Sequence, residues 1–336
     1  MTDQALPKVC VIGAGAIGGF FGARLAQGAA DVSVIARGAT LQAIQQNGWI
    51  LESGGERKAS PVRAVADPAG LGPQDIVIIA VKSYALASVV QMVKPLLAPH
   101  TLVLPAVNGV PWWFTDAAAG LPVSGRLDSV DASGDIEAAI PASAVMGAVV
   151  YPSCSSPAPG VARHQSGTKI VFGEPGAAPG TPPTERLLAL VAFLKSAGFD
   201  AETSTDIRTE AWKKLLGNAC FNPVSLITGS ATDLMIDDPG VYQLFTSMMG
   251  ELLAVGKALG IDPGIQVVDR IAFTRKLGNI KTSMLQDAEA GRPVEVDAIL
   301  GAACELGRKL GIATPALDNV YALARMRAKT FGLLSA

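Results

Sequence analysis

The chain has 336 residues, of which 49% are hydrophobic and 17% charged, and its formal net charge at pH 7 is -2. That length admits two domains with substantial cores, and the composition excludes a disordered or fibrous chain. The near-neutral balance excludes the basic footprint that nucleic acid or an anionic membrane surface selects, and no uncharged apolar stretch approaches the ~18 residues of a membrane span. The first residues are polar and run straight into an apolar segment, which predicts no signal peptide and a cytoplasmic protein. Cys10, Cys154, Cys220 and Cys304 are far apart with no C-x-x-C pair, so free thiols in a reducing compartment are expected. With two histidines and no clustered thiols, no metal site is expected.

Residues 8–12 form an apolar run of strand length, followed by a glycine turn and an amphipathic helix. Gly13, Gly15 and Gly18 fit the spacing G-x-G-x-x-G. The first glycine makes the turn, the second lets backbone approach a pyrophosphate, and the third lets helix pack on strand. Ala14, Ala16 and Ile17 complete the turn, where free N–H groups at a helix start attract phosphate. Residues 31–38 read as the second strand of the βαβ unit. NAD-specific folds place an acidic residue at this strand's end to accept from the ribose hydroxyls; here Arg37 stands instead. A guanidinium pairs with a phosphate dianion, which predicts NADPH/NADP as cofactor rather than NADH.

Further along, residues 49–68 predict a short hairpin leading into a strand. Residues 75–82 and 101–109 are continuous apolar runs, as expected for parallel strands covered on both faces. Residues 115–140, rich in Gly, Ala, Asp and Ser, read as an inserted surface loop. A strand is expected over 144–151, a β-hairpin over 160–173, a Pro/Gly-rich breaker over 173–183, a helix over 183–197 and a short strand near Ala201. From Asp206 onward helical periodicity dominates, with stops at Gly229, Asp238-Pro239, Gly260, Gly291 and Gly311. The fold class expected is α/β: a Rossmann-type NADP-binding domain over 1–204, then an all-α substrate and catalytic domain over 205–336.

A proton donor is harder to find. Neither His100 nor His164 sits in a fingerprint of histidine-assisted hydride transfer. All four tyrosines lack a lysine four residues on: Ser88, Ser155, Thr246 and Arg325 occupy that offset. The helical pattern over 207–226 supplies a better candidate. Lys214, Asn218 and Asn222 are spaced i, i+4, i+8 and share one face, whereas Lys213 falls off it. Asn222 precedes Pro223 and is expected where the helix ends. The neighbours Leu215, Leu216, Ala219, Cys220 and Phe221 are apolar, and amides among them are unfavourable unless paired. A substrate carboxylate and carbonyl would pair them; a solvated helix face is the alternative. Desolvation there would lower the lysine pKa and suit it to general acid work.

The segments GAGAIGG (13–19), VKSY (81–84), VNG (107–109), EAWKKLLGNACFNP (210–223) and SMLQDAEAGRPVEVD (283–297) carry a family resemblance. Along nearly its whole length the chain resembles the ketopantoate reductases (2-dehydropantoate 2-reductases). The resemblance implies NADPH-dependent reduction of ketopantoate to pantoate, a step towards pantothenate and coenzyme A. By matching positions, Lys214 would give the proton to the ketone oxygen, and Glu295 would contact substrate or cofactor. Asn108, Asn218, Asn222 and Ser283 would hold the substrate, and Lys82 and Asn108 would border the nicotinamide. Ser283 as a helix start, Glu295 as a surface carboxylate, Lys82 as a snorkelling side chain and Asn108-Gly109 as a plain turn are the structural alternatives. Thr232 stands where the family has a further substrate-contacting Asn, and the 115–140 segment is longer than in compact members. A paralogue acting on another branched 2-keto acid, or a non-catalytic NADP(H)-binding protein, therefore stays open. The partner implied is a small-molecule 2-keto acid, and an apolar helical domain can also pair in a homodimer.

Overall fold

The computed structural model describes residues 5–115 and 120–334. The elements run in chain order as β1 (Lys8–Ile12), α1 (Ala16–Leu25), β2 (Asp31–Ile35), α2 (Gly38–Asn47), β3 (Trp49–Ser53), β4 (Glu56–Ser60), β5 (Arg63–Val65), β6 (Ile76–Ile79), α3 (Leu86–Val89) and β7 (Leu102–Pro105). They continue as α4 (Asp128–Asp131), α5 (Asp135–Ala139), β8 (Gly147–Val150), β9 (Ser153–Ala158), β10 (Val161–Ser166), β11 (Lys169–Gly173), α6 (Glu185–Ser196) and β12 (Asp200–Thr203). The rest is helical: α7 (Ile207–Thr228), α8 (Thr232–Asp237), α9 (Pro239–Ala258), α10 (Val267–Lys276), α11 (Ser283–Glu289), α12 (Ala302–Leu310) and α13 (Pro315–Thr330).

Two compact units emerge, one of residues 1–107 and 135–207, the other of residues 108–134 and 208–336. The division differs from a single cut after residue 204, because residues 108–134 pack with the helical unit. Glu305 of α12 accepts hydrogen bonds from the N–H groups of Asp128 and Ser129 at the start of α4, both at 2.9 Å. Arg208 donates to the Phe114 carbonyl at 2.7 Å.

In the first unit β1 pairs in parallel with β2 and β6, β2 with β5 and β6 with β7, giving the order β5-β2-β1-β6-β7. All four residues of β6 are buried, which is why that strand reads as an unbroken apolar run. The order reverses between β1 and β6, and in open α/β sheets ligands bind at that switch, beyond the strands' carboxyl ends. Two further sheets have the orders β4-β3-β10-β9 and β12-β11-β8. Helix α1 packs tightly on the first of them. A Cβ on Gly22 would lie 2.0 Å from the Trp49 ring, and one on Gly19 would lie 2.4 Å from Ala162.

Three local expectations are corrected. Residues 160–173 are not a hairpin: β10 pairs antiparallel with β9 and parallel with β3, while β11 pairs with β8 and β12. The hairpin is β9–β10, and β9 escaped notice because it is a polar edge strand carrying Pro157, where a missing N–H does little harm. Residues 115–140 are not a surface loop throughout. They include α4 and α5, and Leu127, Asp131, Ile136, Ala139 and Ile140 are buried; residues 116–119 lie outside the described set. Finally, α7 does not end at Asn222 but continues to Thr228 with Pro223 inside it. A proline in a helix interior forfeits one backbone hydrogen bond and is disfavoured by about 3 kcal/mol. Burial of Phe221, Val224 and Leu226 on the same stretch outweighs it.

Helix α7 anchors the second unit. Trp212 is fully buried, donates its indole N–H to the Leu252 carbonyl at 3.2 Å, and stacks on Phe114 with centroids 5.7 Å apart. Gly256 of α9 leaves room for it, since a Cβ there would lie 2.6 Å from the indole nitrogen. Among the described residues no helix is long and apolar enough to cross a membrane, and no group of three or more His, Cys, Asp or Glu side chains is placed to hold a metal ion.

Candidate active site

In the first unit the glycine turn does what its spacing demands. Gly13 has φ of +103°, and a Cβ there would meet the Ala80 carbonyl at 2.8 Å. A Cβ on Gly18 would lie 1.9 Å from the Gly13 carbonyl oxygen, so any side chain would force helix from turn. Gly15 is different: nothing lies within 4 Å of where its Cβ would be. Its backbone faces open space at the start of α1, whose first turn carries no acidic residue. A cleft of about 570 Å³ opens there, lined by Gly13, Ala14, Gly15, Arg37, Thr40 and Val81 among others. Exposed Arg37 follows β2 and is the N-cap residue of α2. Helix-start amides and a guanidinium at the end of β2 line one cleft, a donor set that fits the phosphates of a dinucleotide.

Several cleft residues had no sequence signal. The last residues of β9, Ser156 to Ala158, and the Pro159-Gly160 turn after them line the cleft, as do Ser88 and Met92. The dipeptide Pro159-Gly160 is a turn signal, but nothing local tells which strand it serves. Lys82, half-buried, is the N-cap of a 3₁₀ turn after β6 and is not among the lining residues. His164 meets Ser53 at 3.2 Å and packs on Phe20, and exposed His100 sits 3.3 Å from Asp75; neither lines the cleft.

The second unit holds the polar stripe. Lys214 is half-buried on α7 and donates from Nζ to Asn108 Oδ1 at 2.8 Å. Burial pushes its pKa down from 10.5 to about 8, and the charge of Glu295 opposes that fall. Glu295 is itself only 5% exposed, so it is not a surface carboxylate. Lys213, by contrast, pairs with Glu210 at 2.9 Å, the ordinary fate of a lysine on a helix flank. Asn108 is held by its neighbours. Gly109 has φ of +88°, a Cβ there would lie 2.4 Å from the Ala298 carbonyl oxygen, and the Val110 N–H donates to that same carbonyl at 2.9 Å. The Asn-Gly pair is thus a seat on the segment after Glu295, not a plain turn.

Two helical steps beyond Lys214, Asn222 is 5% exposed and its Nδ2 has no hydrogen-bond partner. Asn218 between them is half-buried. A buried amide donor left unpaired is rare and calls for an explanation. Ser283, exposed, is the first residue of α11, whose N-cap is Thr282, accepting from the Leu285 N–H at 3.2 Å. Thr232 donates to the Gly278 carbonyl at 3.0 Å, so its hydroxyl is spent on a loop. The sequence-predicted residues Lys214, Asn108 and Glu295 therefore come together, with Asn218 and Asn222 on the same helix.

The family profile described as "Ketopantoate reductase PanE/ApbA" matches residues 9–176, and that described as "Ketopantoate reductase PanE/ApbA C terminal" matches residues 206–328. The chain belongs to the ketopantoate reductase family. It is 43% identical to a 2-dehydropantoate 2-reductase of Mesorhizobium japonicum over 98% of this chain and 100% of that one. A solved structure described as a ketopantoate reductase from Ralstonia solanacearum MolK2 shares 44% identity, covers 98% of this chain and 100% of its own, and superposes with a TM-score of 0.92. A PanE/ApbA family ketopantoate reductase from Ralstonia eutropha JMP134 shares 29% identity over 97% and 99%, with a TM-score of 0.82. Family membership extends over both units, so the glycine turn and the lysine helix are parts of one enzyme architecture.

The orphaned Asn222 amide makes a stability prediction. Because an unsatisfied buried donor is worth about 1–3 kcal/mol of destabilisation, Asn222→Leu should leave the unfolding midpoint of the ligand-free protein unchanged or raise it. A clear fall in urea denaturation would show that the amide is already satisfied in the fold.

Proposed function

We propose that this chain is an NADPH-dependent 2-dehydropantoate 2-reductase, with Lys214 as the proton donor. The observation that carries the reading is the Lys214 amine, lowered to about 8 by burial and held on Asn108 at 2.8 Å, in a helical unit that matches the family's C-terminal profile. Support for the cofactor comes from Gly15, open to backbone approach, and from Arg37 on the same cleft.

Gly13, Ala14, Gly15, Ala16, Ile17 and Gly18 would hold the pyrophosphate, Arg37 the 2′-phosphate, and Lys82 and Asn108 would border the nicotinamide. When bound, the reduced nicotinamide supplies the hydride that converts the ketone carbon to an alcohol carbon. Lys214, as its ammonium, donates the proton that the ketone oxygen takes up, and is left as a neutral amine. A cation placed beforehand where negative charge develops stabilises the transition state more than the ground state. Asn108 orients the ammonium, and Glu295 keeps enough positive charge on it to act. Asn218, Asn222 and Ser283 are assigned to the substrate, the Asn222 amide giving a carboxylate or carbonyl the donor that the fold leaves unpaired.

Lys214→Ala should lower kcat for ketopantoate at least about a hundredfold, the scale of losing a general acid. In the wild type, reduction should be level below pH 8 and decline above it, because the ammonium is the donor and is lost as pH rises through about 8; the reverse oxidation should rise over the same range. Near-normal turnover in the variant, or a panel of 2-keto acids in which ketopantoate is not preferred, would overturn the assignment. Arg37→Ala should raise the KM for NADPH at least about tenfold, the scale of a lost charge-assisted phosphate contact, and leave NADH little affected. Equal effects on the two would remove the 2′-phosphate role.

A further inference from the structure

Residues 295–301 supply one neighbour of Lys214, Glu295, and support the loop that bears the other, Asn108. Glu295 begins the segment, and a π-helical turn, Asp297–Gly301, follows it. Such turns are rare, and they occur mostly as single turns within α-helices, frequently at functional sites. This one has a fastening from another helix. Tyr321 of α13 donates its hydroxyl to Asp297 Oδ1 at 2.6 Å, and Arg325, one helical turn on, donates from Nε to the same oxygen at 3.1 Å. Gly301 closes the turn against the Tyr321 ring, where a Cβ would lie 2.9 Å from the phenol carbon and oxygen. One phenol therefore touches the first and last residues of the turn.

What the turn supports is the lysine's surroundings. Its Ala298 carbonyl is the seat of residues 109–110, and so places the Asn108 side chain that accepts from Lys214. Two residues before it stands Glu295, whose charge acts on the same amine. We propose that Tyr321 is a positioning residue, and that its clasp on Asp297 and Gly301 keeps Asn108 and Glu295 in register on the Lys214 amine. Tyr321 does not touch the amine and acts only through the turn. Arg325, largely exposed, shares the load on Asp297. The inference rests on the reading of Lys214 as the proton donor.

The pH profile of kcat distinguishes this from general stabilisation. Glu295 and Asn108 both favour the charged lysine, so loosening the turn withdraws that support and lowers the midpoint. Tyr321→Phe keeps the ring on Gly301 and removes only the hydroxyl. It should lower kcat about tenfold, the scale of an active-site misplacement of under an ångström, leave the KM for NADPH unchanged, and move the midpoint below about 8. Arg325→Met, a change at the exposed end of the clasp, should act in the same direction and less. Wild-type kcat and midpoint in both variants, beside an inactive Lys214→Ala enzyme, would overturn the clasp alone. An active Lys214→Ala enzyme would overturn the reading beneath it.

Discussion

Placing an ammonium group in a poorly solvated site is the constraint on which the helical unit turns. Desolvation alone would lower the pKa of Lys214 further, whereas a close anion alone would raise it. Here the two oppose each other: burial takes the amine down to about 8 while Glu295 restrains the fall, and a neutral acceptor, Asn108, fixes its direction at 2.8 Å. An amine tuned to that range can give up a proton near neutral pH and regain it, and an exposed lysine at 10.5 does so far less readily. The lysine beside it in sequence makes the contrast. Lys213 has a part-buried i,i+3 salt bridge to Glu210 at 2.9 Å, a pairing common along a helix flank.

The rest of the unit serves this arrangement. Trp212, sunk under Gly256 and stacked on Phe114, fixes the rotation of α7, so that the stripe from Lys214 to Asn222 keeps its direction. The Asn108 loop is laid on Ala298, and the turn that bears Ala298 is clasped from α13. Among the described residues the buried donors left without a partner are the Trp49 and Trp113 indole nitrogens and the Asn222 amide, and of these Asn222 alone lies on the stripe that begins at Lys214, where an unpaired donor can mark the place a ligand completes the structure. In the other unit Gly15 plays the matching part. Its backbone is bare at a helix start where the other two glycines of the motif are crowded.

Much of this was legible in the chain because the physics is local. Strand β6 reads as an apolar run since parallel strands are covered on both faces, and the glycine spacing follows from the turn it must make. The lysine stripe follows from helical periodicity. What was not legible depends on contacts distant in sequence. Nothing near residues 108–134 tells that Glu305 will cap Asp128 and Ser129 and draw the segment into the helical unit. Pro223 signals a helix end by every local rule, and the burial of the residues after it overrides that signal. The strand β9 is polar because it lies at a sheet edge, so alternation could not reveal it. The π-helical turn and its phenol clasp join residues 24 positions apart, and no pattern within either segment announces the other.

The most direct measurement is the titration of the Lys214 side-chain nitrogen, followed by NMR in the intact protein with the lysine resonance assigned through Lys214→Arg. A midpoint near 8 is expected, moving lower in Glu295→Gln, because the carboxylate favours the ammonium form. A midpoint at the ordinary 10.5, unmoved by that substitution, would contradict the half-buried, tuned proton donor around which the site is built.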